Sequence, residues 1–375
     1  MPIGIAVPFL DLGAAYAELR GPLDEASARV LASGRFILGE EVEAFESEFA
    51  RYCGARHCIG VANGLDALHL ILRAYAIGAG DEVIVPSNTF IATWLAVTHA
   101  GARPVPVEPT PGTYNLDANR IEAAITPRTR AVIAVHLYGQ CADMTAISDV
   151  CRRHSLRLIE DAAQAHGASW NTKCAGALAN AAAFSFYPGK NLGAFGDGGA
   201  VTTSDSELAE RVQVLGNYGS AIKYEHRYAG FNSRLDEMQA AFLRVKLRVL
   251  DTWNERRRRV AAKYVACLPT DVLQLPQVAG NGRPVWHLFV VRTANRSALQ
   301  RFLADHGVQT LIHYPTPPHL QGAYSSMRYR EGDFPIAESM HREVLSLPIG
   351  PHLTLEQIDT VVDACRAARF AGAVQ

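Results

Sequence analysis

The sequence predicts an α/β fold in which a large domain, built on a mostly parallel sheet flanked by helices, is followed by a smaller C-terminal α/β domain. Three observations predict it. Short β-rich runs alternate with helical stretches between residues 82 and 203, the pattern of βαβ units whose sheet is covered on both faces. The chain has 375 residues, more than one core usually holds. The pattern changes to one long helical run after Leu235, and then to a new β/α region near Trp286.

Residues 40–52, EEVEAFESEFARY, place Val42, Phe45, Phe49 and Tyr52 at helical spacing and predict an amphipathic helix. NGLDALHLILRAY predicts a second helix. The β-rich runs are EVIVP at 82, PVPVE at 104, AVIAVHL at 131, LRLIED at 156, AFSFY at 183 and GAVTT at 199. Ligands gather at the carboxyl ends of parallel strands, where His136 to Gly139, Glu160-Asp161 and Ser185 to Lys190 fall. The helical run from Leu235 to about Leu268 ends at Pro269 and Pro276. The domain division is placed inside it, with residues 1–250 forming the large domain and 251–375 the small one. No internal repeat is apparent.

Hydrophobic residues make up 49% of the chain and charged residues 19%, the balance of a compact enzyme rather than a disordered or fibrous chain. With 36 Lys+Arg against 37 Asp+Glu, no net field favours nucleic acid. Arg256-Arg257-Arg258-Arg259 is read as a solvated helical face. The seven cysteines match neither a zinc knuckle nor a CxxC pair and are read as reduced, mostly buried thiols. No window reaches the ~20 apolar residues of a membrane span, and MPIGIAVPFLDLG does not read as a signal peptide. The expected location is cytoplasmic, without a membrane partner.

The most informative segment is SFYPGKNLGAFGDGGAV, residues 185–201, where Lys190 follows Pro-Gly and precedes a glycine-rich turn into a strand. Such a turn can project the amine into the strand-end crevice, where desolvation makes it a nucleophile toward an aldehyde; a solvent-exposed loop lysine is the alternative. The glycines from Gly193 to Gly199 precede a strand rather than joining strand to helix, which argues against a nucleotide loop. In LIEDAAQAHGA, Asp161 directly follows a buried-looking strand and requires a partner. That partner is a protonated pyridine nitrogen in a pyridoxal-phosphate enzyme, or else a salt bridge or a cap. Glu160, Asp161 and His166 lack a further clear ligand for a metal, and none is expected. The turn into a helix at Gly64-Leu65 offers N–H groups to a phosphate, as nearly every helix start does.

Together these residues resemble the DegT/StrS sugar aminotransferases of fold type I. The resemblance rests on RFILGEEVEAFESEFARYCGA, GDEVIVPSNTFIAT, EDAAQAHGA, FSFYPGKNLGAFGDGGA, FNSRLDEMQAA and IHYPTPPH, and covers nearly the whole chain. It implies pyridoxal 5'-phosphate as cofactor, with Lys190 at the Schiff-base position, Asp161 at the pyridine nitrogen and Gln164 at the ring hydroxyl. It also implies that Ser185 and the backbone of Gly64 and Leu65 hold the phosphate and that Phe90 lies on the ring face. Asn232 would reach the phosphate of a neighbouring subunit's cofactor, so the resemblance implies a homodimer with shared sites. Leu65 departs from the hydroxyl residue common at its position, leaving only a backbone contact there. Relatives that dehydrate ketosugars carry histidine where this chain has Lys190, so lysine favours amino transfer.

The implied reaction passes the amino group of L-glutamate through pyridoxamine 5'-phosphate to a nucleotide-linked ketosugar, with Lys190 as both anchor and acid/base. NTFIATWLA, EPTPGTYNLD and NYGSAIKYEHRYAGFNSRLDE resemble members that aminate carbon 3 of a dTDP-3-keto-6-deoxyhexose to a dTDP-3-amino-3,6-dideoxyhexose. Tyr187, Tyr218, Lys223, Tyr224, His313, Tyr314 and His319 are the expected polar groups around the sugar and pyrophosphate, and Arg234 is a candidate for the donor carboxylate or for an ion pair. The rival readings are a carbon-4 ketosugar or inosose aminotransferase, a sugar dehydratase, and a pyridoxal-phosphate-binding regulatory protein without transaminase activity.

Overall fold

A computed structural model describes residues 7–370. Its centre is a seven-stranded sheet of β1 (His57–Val61), β2 (Glu82–Pro86), β3 (Arg103–Val107), β4 (Thr129–Val135), β5 (Arg157–Asp161), β6 (Ala181–Ser185) and β7 (Gly199–Thr203). Their order is β1-β7-β6-β5-β4-β2-β3. All neighbours are parallel except β7, which runs antiparallel to both β1 and β6. Side chains alternate between faces along a strand, so β4 sends Val132 and Ala134 into one apolar cluster and Ala131 and Ile133 into another. Burial on both faces explains why these strands read as unbroken apolar runs.

Helices α1 (Leu12–Ser33), α2 (Glu40–Cys53), α3 (Gly64–Ala74), α4 (Ile91–His99), α5 (Met144–Arg153), α6 (Ser206–Gly216), α7 (Glu237–Leu247) and α8 (Leu250–Cys267) accompany the sheet. In α2 the predicted face is buried through Val42, Phe45 and Phe49. Its N-cap, Gly39, has no side chain to offer; the buried Glu237 carboxylate instead accepts the N–H groups of Gly39, Glu41 and Val42 at 2.7–3.0 Å. Those donors would otherwise have no intrahelical partner.

The single long helix expected after Leu235 is two helices, with the break between Leu247 and Leu250. The break lets Ala241 and Val245 of α7 and Trp253 of α8 meet the same face of α1. The four-arginine run is not simply a solvated face. Arg257 is buried and donates to the carbonyls of Trp286, His287 and Ile349, while Arg256 pairs with Glu18 at 2.9 Å.

Beyond α8, β8 (Phe289–Arg292) pairs antiparallel with β9 (Val344–Leu347). These strands share an apolar cluster with α9 (Arg296–Asp305), α11 (Leu355–Phe370), the second half of α8 and Val7. Helix α10 (Pro335–Glu343) is tied to the large sheet by Glu108, whose carboxylate accepts the N–H groups of Ile336 and Ala337 at its first turn. All seven cysteines are free, five of them buried. No helix among the described residues is long and apolar enough to cross a membrane.

Candidate active site

The carboxyl ends of β5 and β6 meet the start of α4 and a loop from the C-terminal region. Strand alternation sends Glu160 and Asp161 to opposite sides. Glu160 is fully engaged away from the crevice, lying 2.9 Å from His136 Nε2 and accepting the N–H groups of Gly176, Leu178 and Ala179. Asp161 is buried; its Oδ2 accepts from Thr93 Oγ1 at 2.8 Å and its Oδ1 from Ala163 N–H at 3.2 Å. Burial raises its carboxyl above the usual range despite the Thr93 and Ala163 hydrogen bonds and the nearby Lys190. Among the described residues it has no ion-pair partner within 4 Å. A buried carboxylate so placed favours the arrival of a cation.

Lys190 stands at the end of the turn that leaves β6, its N–H donating to Tyr187 O at 2.8 Å. The turn is tight enough to require glycine three residues on, because a Cβ on Gly193 would meet Pro188 O at 2.3 Å. Lys190 keeps an opening to solvent, yet burial lowers its amine to about 8, opposed by the Asp161 charge. Burial and the charge of Lys190 hold His166 down to about 3 and His313 to about 4. Both imidazoles are therefore neutral near pH 7.

Gln164 accepts Tyr138 N–H at 2.6 Å and donates to Tyr314 Oη at 3.1 Å. Phe90, N-cap of α4, is half-exposed, with its ring centroid 5.0 Å from that of Tyr314. His313 lies beside Tyr314, its Nδ1 2.8 Å from Ser346 Oγ. At the β6 end, Ser185 Oγ accepts Tyr187 N–H at 3.3 Å, leaving its own proton to donate. The start of α3 presses on it so closely that a Cβ on Gly64 would stand 2.7 Å from Ser185 Cβ. Asn63 caps α3 by accepting from Asp66 N–H, while Gly64 and Leu65 precede any intrahelical acceptor.

A lysine amine brought near neutrality, an unneutralised buried carboxylate, a half-exposed aromatic face and a helix start beside a serine hydroxyl together fit pyridoxal phosphate. Each part matches one piece of its chemistry: the aldehyde, the pyridinium nitrogen, the ring and the phosphate.

The structure thus gathers Phe90, Asp161, Gln164, Ser185, Lys190, His313 and Tyr314 on one edge, with Tyr187 exposed in the lysine turn. A second group is built around Arg234. Arg234 donates to Asn217 Oδ1 at 3.0 Å and Asn232 Oδ1 at 2.7 Å and lies over the Tyr218 ring. Lys223 and Tyr224 sit on an adjoining exposed hairpin. Among the described residues no hydrogen bond or ring contact joins this group to Lys190, Asp161 or Gln164. His319 is a correction to the expected sugar-site residues. It is buried, 3.0 Å from Glu338 Oε1, with its ring against Phe334, and does not face the crevice.

Sequence reasoning passed over Thr93, Lys246 and Asn254. Lys246 is buried under the lysine turn, donating to Gly193 O at 2.7 Å. Asn254 accepts from Asn191 Nδ2 at 2.9 Å and donates to His166 O. Only Thr93 left a signal, as a hydroxyl four residues after Thr89 in NTFIAT.

Residues 20–366 match the DegT/DnrJ/EryC1/StrS aminotransferase family. The dTDP-3-amino-3,4,6-trideoxy-alpha-D-glucose transaminase of Streptomyces venezuelae is 57% identical over 361 residues, which are 96% of this chain and 95% of that protein. The dTDP-3-amino-3,6-dideoxy-alpha-D-galactopyranose transaminase of Aneurinibacillus thermoaerophilus is 56% identical over 358 residues, 96% of this chain and 98% of that one. The crystal structure of S. venezuelae DesV in complex with a ketimine intermediate superposes with a TM-score of 0.94 at 57% identity, over 96% of this chain and 98% of that chain.

Proposed function

Since the chain belongs to the DegT/DnrJ/EryC1/StrS aminotransferase family, we propose that it carries the amino group of L-glutamate to carbon 3 of a dTDP-3-keto-6-deoxyhexose. The product is a dTDP-3-amino-3,6-dideoxyhexose. The chain is a pyridoxal-phosphate-dependent aminotransferase, and its cofactor supplies the carbonyl that captures an amine and the ring that accepts the electrons released when a proton leaves carbon. The observation that carries the residue assignment is a partly open Lys190, its amine lowered to about 8, near the buried Asp161, whose carboxylate has no ion-pair partner among the described residues.

Lys190 is the covalent anchor, and its freed Nζ moves the proton, a task that requires the neutral amine. Asp161 holds the pyridine nitrogen and Gln164, through Nε2, the ring hydroxyl. Ser185 and the N–H groups of Gly64 and Leu65 hold the phosphate, and Phe90 covers the ring. Tyr187, His313 and Tyr314 line the acceptor side.

The working form in this reading is a homodimer. Phe36, Ile37 and Leu38 form an exposed apolar run, more than a lone soluble surface usually strings together. No hydrogen bond or ring contact among the described residues joins the Asn232 and Arg234 group to its own Lys190, and in this reading Asn232, Tyr218, Lys223, Tyr224 and Arg234 serve a neighbouring site. The large and small domains divide at residues 250 and 251, and the enzyme acts in the cytoplasm.

The test is an absorbance titration of protein loaded with pyridoxal phosphate, with Lys190→Ala as control. The lysine-bound band should bleach with glutamate and return with a dTDP-3-ketosugar. Return only with a 4-ketosugar or an inosose moves the acceptor to those rivals. A band that never bleaches favours a regulatory protein, and a band that persists in Lys190→Ala removes the central assignment.

A further inference from the structure

We propose that Thr93, with Thr89 behind it, is a positioning residue that holds the Asp161 carboxylate for the pyridine nitrogen through a two-hydroxyl relay at the start of α4. The inference rests on the reading of Asp161 given above and adds what keeps that carboxylate in its working state.

Among the described residues no cation is in contact with the buried Asp161, so neutral donors must hold it. Two do. Ala163 N–H occupies Oδ1 at 3.2 Å and Thr93 Oγ1 occupies Oδ2 at 2.8 Å. Thr93 and Thr89 are 1% and 2% exposed, and their hydroxyl oxygens are 2.9 Å apart. The direction of the relay follows from counting protons. An ionised carboxylate only accepts, so the single proton of Thr93 goes to Asp161. Thr93 can then only accept from Thr89, which fixes the order as Thr89 to Thr93 to Asp161. A hydroxyl that accepts while it donates is polarised into a better donor, and low local dielectric strengthens each link.

Thr93 lies three residues after Phe90 on the first turn of α4. One helix start therefore sets both the aromatic surface for the ring and the support behind its nitrogen. Of the influences that oppose the rise burial imposes on the Asp161 carboxyl, the Thr93 hydrogen bond is the largest. Without it the carboxylate gains a proton more readily, the ring nitrogen loses its charge, and proton removal from the substrate carbon slows.

Valine matches threonine in shape and removes only the hydroxyl. In the holoenzyme, Thr93→Val should lower kcat for the glutamate half-reaction by roughly tenfold to a hundredfold, the loss expected of one hydrogen bond to a charged group, with KM little changed. The direct readout is the nitrogen-15 resonance of enzyme loaded with pyridine-labelled cofactor, which reports protonation of the ring nitrogen. Thr93→Val should move it toward the unprotonated position, Thr89→Val part-way, and Thr93→Ser should restore it. Asp161→Asn fixes the far limit. A wild-type resonance and kcat in Thr93→Val overturn the relay while leaving Asp161 in its role, provided Asp161→Asn moves the signal. If Asp161→Asn also leaves it unmoved, the assignment of Asp161 itself fails. Should Thr93→Val not fold, Thr89→Val keeps the Thr93 contact with Asp161, and an unmoved signal there overturns the relay.

Discussion

The Lys190 amine offers a direct test of whether the fold prepares its nucleophile before any substrate arrives. A lysine ordinarily titrates at 10.5, and burial brings this one to about 8, a bias of about 3 kcal/mol toward the neutral form. At pH 7 the unshifted amine would be neutral in ~0.03% of molecules and the shifted one in ~9%, roughly a 300-fold gain in nucleophile. Stopped-flow absorbance of the cofactor-free protein mixed with pyridoxal phosphate reads this as the rate of band formation. The rate should rise with pH, bend near 8 and level off above it, whereas a free lysine derivative continues to climb toward its own higher pKa. The Asp161 charge favours the protonated amine, so Asp161→Asn should move the bend lower. A rate that climbs without a bend past pH 10, or a bend that Asp161→Asn moves upward, refutes the reasoning.

Gly64→Ala would place a Cβ 2.7 Å from Ser185 Cβ, forcing α3 off the strand end at about 1–3 kcal/mol. A fluorescence titration should show pyridoxal phosphate bound roughly tenfold or more weakly, and unchanged affinity would separate this contact from phosphate binding. Burial, followed by the charges of Glu43 and Glu237, raises Glu46 from 4.5 to about 7 although it accepts Gly60 N–H at 2.7 Å. Because the folded state binds this proton more tightly, the protonated carboxyl is fully favourable below pH 4.5 and its contribution is lost as pH rises through 7. Glu46→Gln keeps an acceptor for Gly60 and should match wild type in urea near pH 4 but exceed it by about 2–3 kcal/mol near pH 8; equal midpoints at both pH values would contradict the shift. Arg257→Met leaves the carbonyls of Trp286, His287 and Ile349 without their charged donor, at about 2–4 kcal/mol. Thermal melting should fall and proteolysis between α8 and β8 should quicken, while an unchanged melt would mean that removing the buried charge offsets the lost bonds.

What the sequence made legible is whatever depends on neighbours along the chain. The apolar runs of β2 to β7 stand out because a strand covered on both faces needs no polar alternation. Lys190 and Asp161 stand out because each follows such a run at the edge where ligands gather. The strand His57–Val61 went unread: it is five residues long, begins with a histidine and contains Gly60. Its reason for being a strand is its pairing with β7, more than a hundred residues away. The cap of α2 was hidden for the same reason, since Glu237 supplies it from 198 residues beyond Gly39. Arg257 looked solvated because its neighbours are also arginines, and only the packing of α8 against three distant carbonyls shows otherwise.

IHYPTPPH shows how sharply such placement can divide one motif. His313 and Tyr314 come to the crevice: Tyr138 donates to the carbonyl of His313, and Gln164 holds the hydroxyl of Tyr314. Five residues after Tyr314, His319 has left it. Pro317 and Pro318 start a 3-10 turn through Leu320, and the buried Glu338 carboxylate, which also gathers the N–H groups of Gly332 and Phe334, takes the imidazole. The carboxylate and an aromatic wall hold this imidazole through Nε2, while its buried Nδ1 has no hydrogen-bond partner among the described residues. His313 and Tyr314 instead stand with Lys190 and Gln164, close to the charge of Asp161 and the ring of Phe90.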